Sequence, residues 1–450
     1  MMSSTIFSLS SAPGRAGVAV FRLSGPMAGT IAQTLSQRAL PRPRLAALRQ
    51  FENSDGKAID EGLLLWMPAP HSFTGEDCAE FQLHGSPAVA EGLANALNDA
   101  GARQAEAGEF TRRAFMNGKL DLTEAEGLAD LIDADTEAQR IQALRQMQGG
   151  LKARYEGWRE GVLDALAQIE GEIDFPDEAD IPDDLAHKAF SPIKSLREDM
   201  DAALETAERG ERVRAGIEIA IIGAPNSGKS SLINCLAGRE AAIVTSQAGT
   251  TRDIIEVNLV MGGLAVCISD TAGLRESADV IEAEGIRRAR ARAENADIRI
   301  LVQDSVNPKQ EGLSLLRDGD FLLHNKSDLM PKSQIGKQPV TPADLKTDIC
   351  TLSLSAIKGD GIKLFQDYLS EAVKTRYSPG REAGLTRARH RDCVIRAKSA
   401  LDRALPSLGI APELAGDDLR AALQALRELA GETDIEAVFD RIFSRFCVGK

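Results

Sequence analysis

Apolar and polar positions alternate with a period of two in AGVAVFRLSG and CAEFQLHG, the signature of half-buried strands. Between Thr5 and about Lys119 such strands mix with helical stretches, which predicts an α+β domain. From Leu120 to about Arg212 the pattern turns long, charged and rich in Ala and Leu, so helices are expected, with breaks at Gly149–Gly150 and DFPDEADIP. Buried-type apolar runs then alternate with helical stretches from Ile217 to about Lys374, as in a parallel sheet with crossover helices. After the break TRYSPGREAG the chain returns to helix, with Leu419, Leu423 and Leu426 three and four apart. Exposed loops tolerate insertions, so the economical architecture is multidomain. It has an α+β N-terminal domain (1–119), a discontinuous helical domain (120–212 plus 380–450) and an inserted α/β domain (213–379).

Length and composition agree with this and narrow the chemistry. A chain of 450 residues is too long for one core, and 43% hydrophobic with 27% charged residues is ordinary for a folded globular protein. The net charge of −14 argues against general polyanion binding, so any nucleic-acid contact needs a local patch. The six cysteines form no CxxC, which suggests neither zinc nor a disulfide framework and fits a reducing cytoplasm. MMSSTIFSLSSAPGR lacks the features of a signal peptide, and no run of ~18 apolar residues predicts a membrane span.

The candidate chemistry centres on GAPNSGKS, residues Gly223 to Ser230, placed between a buried-type strand and a helix. This is a P-loop in its required context. Its glycines let the amides of Asn226, Ser227 and Gly228 approach phosphate, Lys229 reaches the outer oxygens, Ser230 supplies a magnesium ligand and Ser231 follows in the helix. The strand-like LAVCIS leads to Asp270, Thr271, Ala272 and Gly273, where Asp270 can hold magnesium through water. Between them a polar switch-like loop carries Thr245, Ser246, Gln247, Ala248, Gly249, Thr250 and Thr251, with Thr251 completing the magnesium shell. FLLH precedes Asn325, Lys326 and Asp328; a carboxylate there accepts the paired N–H donors that guanine presents and adenine does not. Ser355 and Ala356 close over the base. Five elements in this order resemble the translation-factor-related GTPases. Leu274 stands where Ras-like enzymes carry a water-orienting Gln, leaving Glu276, Glu282 and Glu284 as candidates for water and Arg252 and Arg275 for developing charge.

Four stretches carry a resemblance: PGRAGVAVFRLSGP, then SFTGEDCAEFQLHG with GEFTRRAFMNGKLDLTEAEGLADLID, the nucleotide motifs with GTTRD and DTAGLRE, and the terminal FCVGK; a P-loop is shared by many families, whereas NGKLDL and FCVGK are specific. Across essentially the whole chain they resemble the MnmE (TrmE) family of tRNA-modification GTPases. The resemblance implies a homodimer that binds 5-formyl- or methylene-tetrahydrofolate in its N-terminal domain. With an FAD-containing partner, such proteins install an aminomethyl-type group on C5 of uridine 34 of tRNA. It also implies a potassium ion on Asn226, Thr245, Gln247 (through its carbonyl) and Thr250, beside magnesium on Ser230 and Thr251, and it favours Glu282 as the water-positioning group. Asn226 as a plain loop residue is the alternative.

For folate, strand alternation places Glu80, Gln82 and His84 on one face and Phe81 and Leu83 on the other. A buried carboxylate needs a partner, and a pterin offers adjacent N–H donors to Glu80. The resemblance adds Arg22, Lys119 and Lys450; Lys119 and Asp121 also fit an ordinary helix cap. Cys447 reads either as a packed apolar residue or as a catalytic thiol brought to the folate pocket. A GTPase that only times RNA or ribosome assembly is the alternative function, but the C-terminal segment shows no basic GxxG loop of the KH type. The basic stretch TRARHRDCVIRAK is a possible tRNA contact or a solvated helix face.

Overall fold

The computed structural model describes residues 4–174, 188–238, 256–270, 290–309, 311–330, 349–378, 380, 383–408, 410–432 and 449. The chain divides into two compact units, Met1–Ala129 with Gln146–Glu160 and Leu423–Lys450, and Asp130–Arg145 with Gly161–Ala422.

The first unit is built on a six-stranded sheet of order β3-β4-β5-β2-β1-β6. The strands are β1 (Ile6–Leu9), β2 (Ala16–Ser24), β3 (Ala47–Glu52), β4 (Ala58–Met67), β5 (Cys78–Gly85) and β6 (Arg103–Gln104). All pairings are antiparallel except β1 with β6. The two stretches expected as strands are β2 and β5, which lie side by side in the interior of the sheet. Their odd-numbered residues Phe21, Leu23, Phe81 and Leu83 are buried in one core with Ile31, Leu35, Leu93 and Leu97 of the helices Ala28–Ser36 and Pro87–Asp99. Ser86 starts the second helix by accepting from the Val89 amide, with proline at the first helical position where no N–H is needed. The opposite sheet face leaves Val18, Leu48 and Leu63 exposed. In the same unit the helix Leu122–Ile132 begins at a reciprocal cap, Asp121 Oδ1 accepting from the Glu124 amide and Glu124 Oε2 from the Asp121 amide, both 2.8 Å.

The second unit holds a sheet of order β12-β11-β10-β7-β9-β8. It consists of β7 (Ile217–Ile222), β8 (Glu256–Met261), β9 (Leu264–Asp270), β10 (Ile298–Asp304), β11 (Phe321–Asn325) and β12 (Cys350–Ser353). Every pair is parallel except the β8–β9 hairpin. Parallel strands are covered on both faces, which is why IEIAII and IRILV read as continuous apolar runs. Strand order reverses at β7, flanked by β9 and β10, and such a switch point opens a crevice at the strands' carboxyl ends. The helix Phe190–Ala215 leads into β7, and the chain leaving the sheet returns to that helix. Arg214 Nε donates to the Thr386 carbonyl at 2.8 Å, and a Cβ on Gly210 would lie 2.3 Å from the Leu385 oxygen, so only glycine permits the approach. Among the described residues no helix is long and apolar enough to cross a membrane.

Candidate functional site

The loop after β7 is shaped by two glycines that admit no side chain. A Cβ on Gly223 would lie 2.2 Å from the Val302 carbonyl, and one on Gly228 would lie 2.0 Å from Asn325 Nδ2. Asn226 between them is exposed and left-handed, at φ 62°. The helix Lys229–Ala237 starts at the left-handed Gly228 with no side-chain cap among the described residues, so the positive end of its dipole lies at the end of this loop, as an anion site requires. Lys229 is buried, and its ammonium donates to the carbonyls of Gly223 and Ala224 at 2.7 and 2.9 Å, tying the end of the loop to its start. Ser227 is buried too, and its Oγ has no hydrogen-bond partner among the described residues; it lines a cleft of about 250 Å³ with Asn226, Gln303 and Asp304.

One side chain joins this loop to the segments that follow β11 and β12. Asn325, at the end of β11, donates from Nδ2 to the Ser227 carbonyl at 2.8 Å and accepts from the Ala356 amide on Oδ1 at 3.0 Å. Ser355 is buried, its amide bonded to the Asp360 carbonyl and its Oγ accepting from the Lys358 amide. Asp328 follows in the single turn Ser327–Leu329 and is exposed. Asp270 ends β9 in register with Ile221, so that strand terminates beside the start of the phosphate loop. The structure therefore gathers Asn226 to Ser231, Asn325, Lys326, Asp328, Ser355 and Ala356, with the end of β9, at one end of the sheet.

On the first sheet, register produces a second constellation. Ser8, Arg22, Glu80 and Leu65 are successive cross-strand partners on β1, β2, β5 and β4. Arg22 reaches Glu80 Oε1 with Nε and Nη2, each at 3.0 Å, and its guanidinium lies 5.4 Å from the Phe73 ring and 5.9 Å from Phe110. The loop bearing Phe73 is fastened by Asn117 Nδ2, which donates to the Thr74 carbonyl at 2.7 Å. Lys119, two residues on, is exposed. Gly449 arrives at the same sheet: its carbonyl accepts from Ser10 Oγ at 3.1 Å, and a Cβ there would lie 2.5 Å from the Leu9 oxygen. Gln82 is half-buried and His84 exposed on an interior strand, with His84 Nδ1 2.9 Å from Asp60.

Comparison with known proteins settles the relationship. A family model described as the GTP-binding protein TrmE N-terminus matches residues 5–119, and one described as the MnmE helical domain matches 122–447. A protein of Maricaulis maris (strain MCS10) named tRNA modification GTPase MnmE is 52% identical over 453 residues, covering 100% of both chains. One of the same name from Paramagnetospirillum magneticum (strain AMB-1) is 50% identical over 452 residues, again covering 100% of both.

The chain belongs to the MnmE family of tRNA modification GTPases.

In this MnmE-family chain several expected site residues lie outside the described residues: Thr245, Ser246, Gln247, Ala248, Gly249, Thr250, Thr251, Thr271, Ala272, Gly273, Glu282, Cys447 and Lys450. The helix Ala388–Ser407 carries most of the basic stretch considered for tRNA. Arg387, Arg391, Arg396 and Lys398 are each paired with a carboxylate, at 2.7, 3.4, 3.1 and 2.9 Å, which leaves that face little charge for phosphate. Sequence reasoning missed Phe73, Phe110 and Asp304. Only Asp304 left a trace, as a carboxylate closing a buried-type strand at the sheet's carboxyl edge.

Proposed function

We propose how this MnmE-family GTPase serves tRNA modification: it binds GTP at the carboxyl edge of the second sheet and a tetrahydrofolate one-carbon unit on the first. With an FAD-containing partner it then adds an aminomethyl-type group to C5 of uridine 34. The observation that carries the nucleotide half is the Asn325 side chain, which makes the phosphate loop and the base-reading segments one body. The uncapped helix start fits a phosphate, and the exposed Asp328 fits guanine's paired N–H donors. Ser230 and Thr251 would hold magnesium, and Asn226, Thr245, Gln247 and Thr250 potassium, which would supply positive charge as phosphate charge develops. Asn226 supports this, its left-handed backbone holding the residue at the surface of the loop. Glu282 orients the attacking water.

The folate half is supported by the sheet-face row. Glu80 spends one oxygen on Arg22, and its Oε2 makes no hydrogen bond among the described residues, which suits a pterin N–H donor. Lys119 and Lys450 complete the pocket, and Cys447 contributes a thiol to the modification chemistry. Gly449 against Leu9 and Ser10 supports a chain end delivered to this row. The exposed Val18, Leu48 and Leu63 support a homodimer joined through this sheet face. Residues 213–379 form the domain inserted into a helical domain of 120–212 plus 380–450, and the enzyme works in the cytoplasm. Nucleoside analysis of tRNA from cells lacking the protein should show loss of the modified wobble uridine, restored by the wild-type chain. A normal profile beside defective ribosome assembly would favour the assembly GTPase instead.

A further inference from the structure

β10 and β11 run parallel with Asp304 opposite Asn325, and Asp304 and Ser305, at and just after the end of β10, hold Lys326 and Asn325, just after and at the end of β11. The Ser305 amide and Oγ both donate to the Asn325 carbonyl, at 2.8 and 2.6 Å. Asp304 Oδ2 accepts from Lys326 Nζ at 2.7 Å, while its Oδ1 accepts from the Val306 amide at 2.9 Å. Lys326 needs such a hold. It sits at φ 62°, a region that non-glycine residues seldom occupy, and a lysine stem otherwise samples many rotamers. The hydrogen bond from Lys326, opposed by burial, keeps the Asp304 carboxyl below its ordinary range, so it stays a carboxylate at neutral pH.

We propose that Asp304 is a positioning residue for guanine-nucleotide binding, fixing Lys326 between the phosphate loop and Asp328 before the nucleotide arrives. The inference rests on the guanine-nucleotide reading given above. Ordering a long side chain during folding rather than during binding improves affinity without adding a contact. Asp304 therefore touches no nucleotide and acts only through Lys326.

The test is a double-mutant cycle on the full chain, read by GDP titration and by GTP turnover. Asp304→Asn keeps the acceptor for Val306 but loses the charge, and should raise the Kd for GDP and the KM for GTP by about 3- to 10-fold. kcat at saturation should change far less. Asp304→Glu, which retains a carboxylate within reach of the ammonium, should recover most of the affinity. In a Lys326→Met background, Asp304→Asn should add less than about twofold, because the group it orders is gone. Wild-type GDP affinity in Asp304→Asn would overturn the proposal. So would an equal penalty in the Lys326→Met background, which would make Asp304 a support for its own loop. Asp328→Asn on the same preparations separates the two levels: if it too leaves GDP binding unchanged, the guanine-nucleotide reading itself fails.

Discussion

The residues proposed for the nucleotide hang from loops at the carboxyl ends of parallel strands, whereas Arg22 and Glu80 stand on the face of a mostly antiparallel sheet and meet through register. In the first arrangement much of the binding surface is backbone, so what matters is where glycine allows a close approach, as at Gly223 and Gly228. In the second it is side chain, so each charged group must find its partner across a strand, as Arg22 finds Glu80 at 3.0 Å. The loop site therefore depends first on loop geometry. The face site tolerates little change in its charges, because removing one leaves the other half-buried and unpaired.

The largest effect that could sharpen this contrast lies in the loop site, at its one proposed side-chain contact with the base. Asp328→Asn should weaken GTP on the order of 1,000-fold and shift preference toward xanthosine triphosphate, because the amide presents a donor where guanine also donates. A binding titration with both nucleotides decides it; an unchanged preference removes Asp328 from base selection. Next comes the cation. GTP turnover in potassium should exceed that in sodium at equal ionic strength on the order of 10- to 100-fold, and Asn226→Ala should erase the difference. Equal rates in the two salts would return the charge-neutralising role to an arginine.

How much of this was legible in the sequence follows from the same contrast. Loop motifs are contiguous, so GAPNSGKS and NKSD announce themselves, and the alternation in β2 and β5 was enough to find the strands that carry Arg22 and Glu80. Register is not contiguous. Phe73 and Phe110 flank Arg22 from distant points in the chain, and β6 is a two-residue strand with no period to detect. Asp304 holds a lysine 22 residues away because two parallel strands end together, and nothing in the spacing says so. The carboxylate partners of Arg387, Arg391 and Lys398 lie on other segments, which is why the sequence left the basic run open between a tRNA contact and a solvated helix face.

A smaller effect probes the charge network beside the sheet-face site. Glu109 bonds Arg103 and Arg113, and Arg113 also holds Glu76 at 3.0 Å. Burial alone would raise the Glu109 carboxyl, but hydrogen bonds from Arg103, the Glu106 amide and Arg113 outweigh it and bring the group from 4.5 down to about 2. A folded-state value below the unfolded one stabilises above the unfolded value, and that stability is lost as pH falls through the folded one. Glu109→Gln should therefore lower Tm by a few degrees at pH 7, and its difference from wild type should shrink between pH 4.5 and about 2. A difference independent of pH across that window would show that Glu109 acts through packing.

Register and the returning chain end together build the proposed folate site, which no single motif encodes. Titration of formyl-tetrahydrofolate into a chain lacking Gly449 and Lys450 tests it most directly, with GDP affinity measured on the same preparation. Folate binding should weaken by about tenfold or more, the worth of one charge-assisted hydrogen bond, with GDP affinity within about twofold of wild type. Wild-type folate affinity in the shortened chain would contradict it and leave the Gly449–Ser10 contact as packing alone.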